Sequence, residues 1–364
     1  MGGRATNSKG RAANVVSADG GVEPGPVASS RPALPRLVAV GGGKGGVGKT
    51  VLSANLATAL AQNGQRVIAI DMDLEGANLH TCLGRPAPHV SLGDFVAQRE
   101  EDLGKLALET TISNLRLIAG THANLAEAQP GHLRRVRLIR ALRQLDADYV
   151  VLDLGAGVHP ATLDYFLVAD HALLVLTPEP TSVENAYTFL RAAFYRRLRL
   201  AMVGHDVRRL VAQAMDQRNE RGIRTPLDLL REVEELDPRE GARFVEAMRQ
   251  MRPKLIVNEV RSAQDIKLGF AVSKVCHRYF GVEAEYLGYV NHDEAVHKSI
   301  VARKPLIEFA PTCDAAIYLQ RIARKLIASQ PDTTARNAVE PASGRAGTGV
   351  SPSSAPSTPS TDSA

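Results

Sequence analysis

Short apolar runs recur along the chain at residues 37–40, 67–70, 115–118, 149–152, 172–176, 255–257 and 286–290. Runs of this length, continuous and not alternating, predict strands buried on both faces. Several of them alternate with stretches of helical apolar spacing at 50–62, 133–145, 182–198 and 263–280. That alternation predicts an α/β fold: a mostly parallel, doubly wound sheet with helices on both faces, in one domain spanning 35–330.

Residues 204–253 break the rhythm. They contain no strand-like run and two helix starts, Thr225-Pro226 and Asp237-Pro238. Each is a capping side chain followed by a proline, which has no N–H to leave unpaired in a first turn. A helical insertion is expected there, and Phe244, Val245, Met248 and Met251 share one face of its second helix, suited to packing on the main domain. Residues 1–34 and 331–364 are built from Gly, Ala, Ser, Thr and Pro with few large apolar side chains. Neither can bury enough surface to offset chain entropy, so a disordered arm and a disordered tail are expected.

Composition narrows the classes. The 364 residues are 44% hydrophobic and 23% charged, enough for a sizeable core. There is no membrane-length apolar run, and the first 35 residues lack the apolar centre of a secretory signal, so a soluble, cytoplasmic protein is expected. Cys82, Cys276 and Cys313 stand far apart, which argues against a zinc site, an iron–sulfur cluster or a disulfide framework. The net charge of +5 allows attraction to phosphate backbones or anionic lipid without requiring it.

The run 37–40 leads straight into Gly41-Gly42-Gly43-Lys44-Gly45-Gly46-Val47-Gly48-Lys49-Thr50 and then into a helix. A strand, a glycine-rich loop and a helix in that order form a phosphate cradle, because glycines let successive N–H groups converge on phosphate oxygens at a helix N-terminus. Gly43, Gly45, Gly46, Val47, Gly48, Lys49, Thr50 and Val51 are therefore the nucleotide-binding candidates. Lys49 is expected on the β- and γ-phosphates, and the Thr50 hydroxyl on Mg²⁺. Gly41, Gly43 and Gly46 also fit the dinucleotide pattern G-x-G-x-x-G, with Asp71 at the end of the next strand. Lys49 and Thr50 favour a triphosphate, since a dinucleotide loop has no use for them.

Phosphoryl transfer also needs carboxylates at neighbouring strand ends. The run 149–152 ends in Asp153, a candidate Mg²⁺ residue, followed by Gly155-Ala156-Gly157, where Gly157 can offer a backbone N–H to a γ-phosphate. The run 67–70 ends in Asp71-Met72-Asp73, a second acid pair in line with the loop.

With its early lysine, the segment Lys44 to Thr50 resembles the deviant Walker A motif of the MinD/ParA ATPases. The resemblance extends through 71–79, 153–157, 255–260 and 286–305, is greatest to the MinD branch and its FlhG/FleN flagellar-number regulators, and covers about 36–328 apart from the insertion. It implies an ATPase that binds ATP with Mg²⁺ and forms a homodimer on ATP. Lys44 would then reach the nucleotide of a second subunit, Asp73 would position the attacking water and contribute at the metal, and Asn258 would contact adenine. It implies in turn a switch that positions or counts a cellular structure, with a protein partner and possible peripheral membrane contact at the membrane's inner face or the cell pole. Two alternatives stay open: an ATP-gated adaptor with little turnover, and a ParA-like ATPase that holds DNA through arginines such as Arg134, Arg135, Arg137, Arg140 and Arg143, or Arg191, Arg196, Arg197 and Arg199. The stretch 319–327 alternates basic and apolar residues, and is expected to be the last core helix in preference to a membrane helix.

Overall fold

A computed structural model describes residues 34–73, 76–120, 131–215, 223 and 225–329. The expected arm and tail, residues 74–75 and part of the 204–253 stretch lie outside the described residues. In chain order the elements begin with β1 (Arg36–Gly41), α1 (Lys49–Gln62), β2 (Val67–Asp71), α2 (Leu79–Cys82), α3 (Leu92–Val96), β3 (Leu108–Glu109) and β4 (Leu115–Ile118). Then follow α4 (His132–Leu142), β5 (Tyr149–Asp153), α5 (Pro160–Leu167), β6 (His171–Leu176), α6 (Pro180–Ala201), α7 (His205–Met215), α8 (Pro226–Leu236) and α9 (Pro238–Arg249). The chain closes with β7 (Lys254–Val260), α10 (Ala263–Phe280), β8 (Glu285–Asn291), α11 (Glu294–Val301), α12 (Leu306–Phe309) and α13 (Asp314–Ala328).

The strands form one sheet in the order β3-β4-β2-β5-β1-β6-β7-β8. Every pairing is parallel except β3 with β4. The doubly wound α/β sheet expected from the apolar runs is therefore present. The two-residue antiparallel β3 was not foreseen, being too short to leave a periodic signal.

Strand geometry sends successive side chains to opposite faces, which divides the core in two. Leu37, Ala39, Ile68, Ile70, Val150 and Leu152 pack beneath α4, α5, α6, α9 and α10. Val38, Val40, Val67, Ala69 and Val151 pack beneath α1 and α13. Leu319, Ile322 and Leu326 of α13 are buried in this second layer, so the basic-apolar stretch near the C-terminus is a core helix.

Between Met202 and Pro253 the described residues hold helices α7, α8 and α9 and no strand. Thr225 caps α8 in a reciprocal capping box with Asp228, and Asp237 caps α9. Phe244 is fully buried and meets Phe194 of α6 edge-on at 6.3 Å, while Met251 joins the same core. Buried Glu240 accepts the backbone N–H of Val203 at 2.9 Å and fixes the start of α9 to the end of α6.

The opposite end of the sheet from the glycine loop depends on buried ionic groups. Asp170 accepts the Leu37 N–H at 2.8 Å and pairs with Arg143, just past the end of α4, whose guanidinium also donates to the Val168 carbonyl. Beside it His171 is buried, with no hydrogen-bond partner for either ring nitrogen. Burial pushes its pKa down to about 4.

Two stability predictions result. Asp170→Ala removes the carboxylate partner of the half-buried Arg143 guanidinium and strands the buried Leu37 N–H, and should cost about 3–5 kcal/mol in urea unfolding. His171, whose folded pKa lies below its unfolded value, binds its proton more readily once unfolded, so its contribution is complete above about pH 6.5 and is lost as pH falls toward about 4. The loss should reach about 3 kcal/mol across that window, and His171→Leu should flatten the fall in urea midpoint between about pH 7 and about pH 4.5.

Candidate nucleotide site

The site forms at the C-terminal edge of the sheet, where β1 hands over to α1. The backbone needs glycine at two loop positions for definable reasons. A Cβ on Gly43 would sit 2.0 Å from the Asn185 carbonyl of α6, and Gly48 has φ +90 with a Cβ position 2.4 Å from the Asn258 amide. Gly45 and Gly46 have nothing within 4 Å of a Cβ position, so the outer loop faces open space. The amide Nδ2 of Asn258, in β7, donates to the Val47 carbonyl at 2.9 Å and ties that strand to the loop.

Lys49 is buried, with Nζ 3.4 Å from the Lys44 carbonyl it donates to. Burial lowers its pKa, against the pull of Asp153 and Asp73. Asp153 at the end of β5 is buried and accepts Ser53 Oγ at 2.8 Å. Burial raises its pKa to about 6, while hydrogen bonds from Thr50 and Ser53 oppose the shift. Asp71 lies directly across the β2–β5 pairing from Asp153. It is raised to about 7 by burial and by that neighbouring carboxylate, although it accepts the backbone N–H groups of Asp73 at 3.1 Å and Leu79 at 3.0 Å.

Those two bonds hold the loop that carries Asp73. Its carboxylate accepts the Gly76 N–H at 2.9 Å and lies 3.5 Å from where a Cβ on Gly155 would be, so the segments after β2 and β5 meet. Gly157 takes φ +88, but its N–H donates to the Gly42 carbonyl at 3.3 Å. Its expected use on a phosphate therefore requires that bond to open. Lys44 is half-exposed, with Nζ 3.3 Å from Thr181 Oγ1 and 3.9 Å from Glu179 of its own chain.

Thr50, Asp73 and Asp153 gather beside Lys49, yet no group of three or more His, Cys, Asp or Glu among the described residues could hold a metal alone. One hydroxyl and one or two carboxylates, completed by phosphate oxygens and water, fit Mg²⁺, which keeps several waters and seldom takes an all-protein cage. A cavity of about 630 Å³ opens from the loop, past Val51 and Asn258, to a wall formed by Val290, Asp293, Val296 and Ile300. This wall was not among the expected site residues. Its sequence signals are the Asp293 cap of α11 and the resemblance over 286–305.

Six of the nine arginines considered for DNA contact other side chains, whereas Arg134, Arg140 and Arg199 are exposed. Arg135 and Arg196 clamp the buried Asp164 of α5, Arg143 holds Asp170, and Arg197 reaches Gln250. Arg137 lies over the Phe95 ring and Arg191 over the Tyr195 ring.

The sequence pattern of the CobQ/CobB/MinD/ParA nucleotide binding domain matches residues 38–306. The antiactivator FleN of Pseudomonas aeruginosa is 26% identical over 80% of this chain and 86% of its own length. The septum site-determining protein MinD of Helicobacter pylori is 34% identical over 41% of this chain, and the match spans 56% of that protein. Among solved structures, MinD of Pyrococcus horikoshii complexed with Mg-ADP has a TM-score of 0.54 at 20% identity, covering 80% of this chain and 96% of that one. Loop, strand-end acids and parallel sheet thus coincide with a match across most of the chain, and the protein belongs to the CobQ/CobB/MinD/ParA family of nucleotide-binding domains, with FleN among its relatives.

Proposed function

We propose that this protein is a slow ATPase switch in which two subunits enclose Mg-ATP and hydrolysis returns them to monomers. The observation that carries the reading is the convergence of Thr50 and Asp73 with the buried Lys49 and Asp153 on one side of the glycine loop. Two buried strand-end carboxylates with raised pKa values are an unfavourable arrangement unless cations complete it. Lys49 supplies one positive charge. Mg²⁺ bound with the nucleotide would supply the other and offset charge on the β- and γ-phosphates.

In this mechanism the loop N–H groups and Lys49 bind the phosphates, Thr50 and Asp153 face the metal side, and Asp73 orients water for in-line attack. Lys44 leaves its contacts with Thr181 and Glu179, which are exposed and weak, and reaches the phosphates of the second subunit. The apolar cavity beyond Val51 takes the base, with Asn258 on its wall. The switch would position or count a cellular structure through a protein partner, the role suggested by likeness to an antiactivator and to septum-siting proteins. A DNA-holding function has less support, because six of the nine arginines considered for its surface contact Asp164, Asp170, Gln250 or aromatic rings, which leaves Arg134, Arg140 and Arg199 as the exposed remainder. Binding to nonspecific duplex that falls steeply between about 50 and about 200 mM salt would restore it.

Two measurements test the switch. Asp73→Ala should lose turnover by about 100-fold or more while ATP affinity stays within a few-fold, and normal hydrolysis by this variant would remove the assignment. In sedimentation with Mg-ATP, Asp73→Ala should accumulate as a dimer and the double variant Lys44→Ala, Asp73→Ala should remain monomeric; equal dimerisation by both sinks the cross-subunit role of Lys44.

A further inference from the structure

We propose that Glu259 is the residue by which this chain reads the purine base, through the exocyclic amino group at position 6, in concert with Asn258. The inference rests on the glycine loop being the phosphate site, which fixes the end of the cavity where a base must lie.

Three observations meet at this residue. The pairing of β7 with β8 slips between Val257 and Val260, so the strand is irregular at Asn258 and Glu259. Glu259 takes φ +58, a left-handed conformation that a side chain bearing a Cβ adopts only at a cost, and such residues cluster at ligand clamps. In a regular strand, consecutive side chains point to opposite faces. Here the slip lets Asn258 and Glu259 both line the same cavity.

The third observation is chemical. The Glu259 carboxylate makes no hydrogen bond or ion pair with any described residue, although it stands on the wall of a largely apolar cavity. Asn258 has its Nδ2 committed to the Val47 carbonyl at 2.9 Å, and a carbonyl can only accept, so the amide oxygen is the group left over. Two adjacent residues that each keep an acceptor therefore line a space walled by Val51, Val290 and Val296. An amino group at position 6 of a purine offers two N–H donors, one for each acceptor. A 6-oxo purine would set oxygen against two oxygens, and a site built around two half-buried acceptors disfavours a ligand that leaves them unpaired. A ribose hydroxyl is the other group that a carboxylate could accept from in a nucleotide cavity, and the sugar analogue below separates the two.

Equilibrium binding of ATP, ITP and 2′-deoxyATP to the full chain with Mg²⁺ tests the proposal. Wild type should prefer ATP to ITP by about tenfold or more. Glu259→Gln, whose amide can also donate to a 6-oxo group, should bring that ratio to within about threefold of unity, while the ratio of ATP to 2′-deoxyATP stays as in wild type. Glu259→Gly suits the left-handed backbone, so it keeps the fold by thermal melting and should show the same loss of base discrimination. An unchanged ATP-to-ITP ratio in both variants overturns the proposal, as does a change confined to the 2′-deoxyATP ratio, which would assign Glu259 to the sugar. A wild type that binds none of the three nucleotides instead overturns the phosphate-site reading itself.

Discussion

The site turns on a conflict between burial and charge at the ends of β2 and β5. Asp71 and Asp153 lie opposite each other in a sheet edge with almost no access to water, and both are pushed toward the neutral form. Two carboxylates in that position repel each other and lose solvation, and only nearby donors and cations make their charged forms tenable. The first turn of α1 provides them: Thr50 and Ser53 hydrogen-bond to Asp153, and Lys49 lies close by. The start of α1, into which the glycine loop runs, is thereby tied to Asp153. A bound triphosphate and its metal would enter a charge arrangement already balanced to receive them.

The two acids have different structural duties. Asp153 faces the helix, whereas Asp71 spends its oxygens on the backbone of the segment that carries Asp73. That division keeps Asp73 close to Gly155. Farther out, positive charge is used to join helices. Asp164 of α5 takes arginines from α4 and α6, and α5 begins directly after the segment 153–157, so the helical face opposite α1 is connected to the nucleotide edge by an ionic junction. Such a junction also explains how a chain of net charge +5 can present less free positive surface than its arginine count suggests.

Much of this was legible in the residues. Continuous apolar runs specify strands buried on both faces, since only such strands exclude polar residues from both sides, and seven of the eight strands announce themselves in this way. Thr225-Pro226 and Asp237-Pro238 specify helix starts because capping and a fixed φ act within one turn. The loop from Gly43 to Thr50 reads as a candidate phosphate cradle for the same reason: glycine freedom and helix N-terminal donors are local properties.

What lay outside the sequence was every property that depends on distant segments meeting. The helix expected at 133–145 stops at Leu142, and Arg143 just past its end reaches Asp170 and Val168. The Gly157 N–H is taken by Gly42, a partner 115 residues away, and no local pattern encodes that. The cavity wall from Val290 to Ile300 and the acceptor at Glu259 belong to the site only because β7 and β8 lie beyond β6 on the far side of β1. Sequence by itself determined the elements and the glycine loop at the head of α1, whose causes act within a few residues. The tertiary structure alone decided which charges are buried together, which arginines are consumed, and what walls the cavity, because burial and pairing are properties of the packed chain.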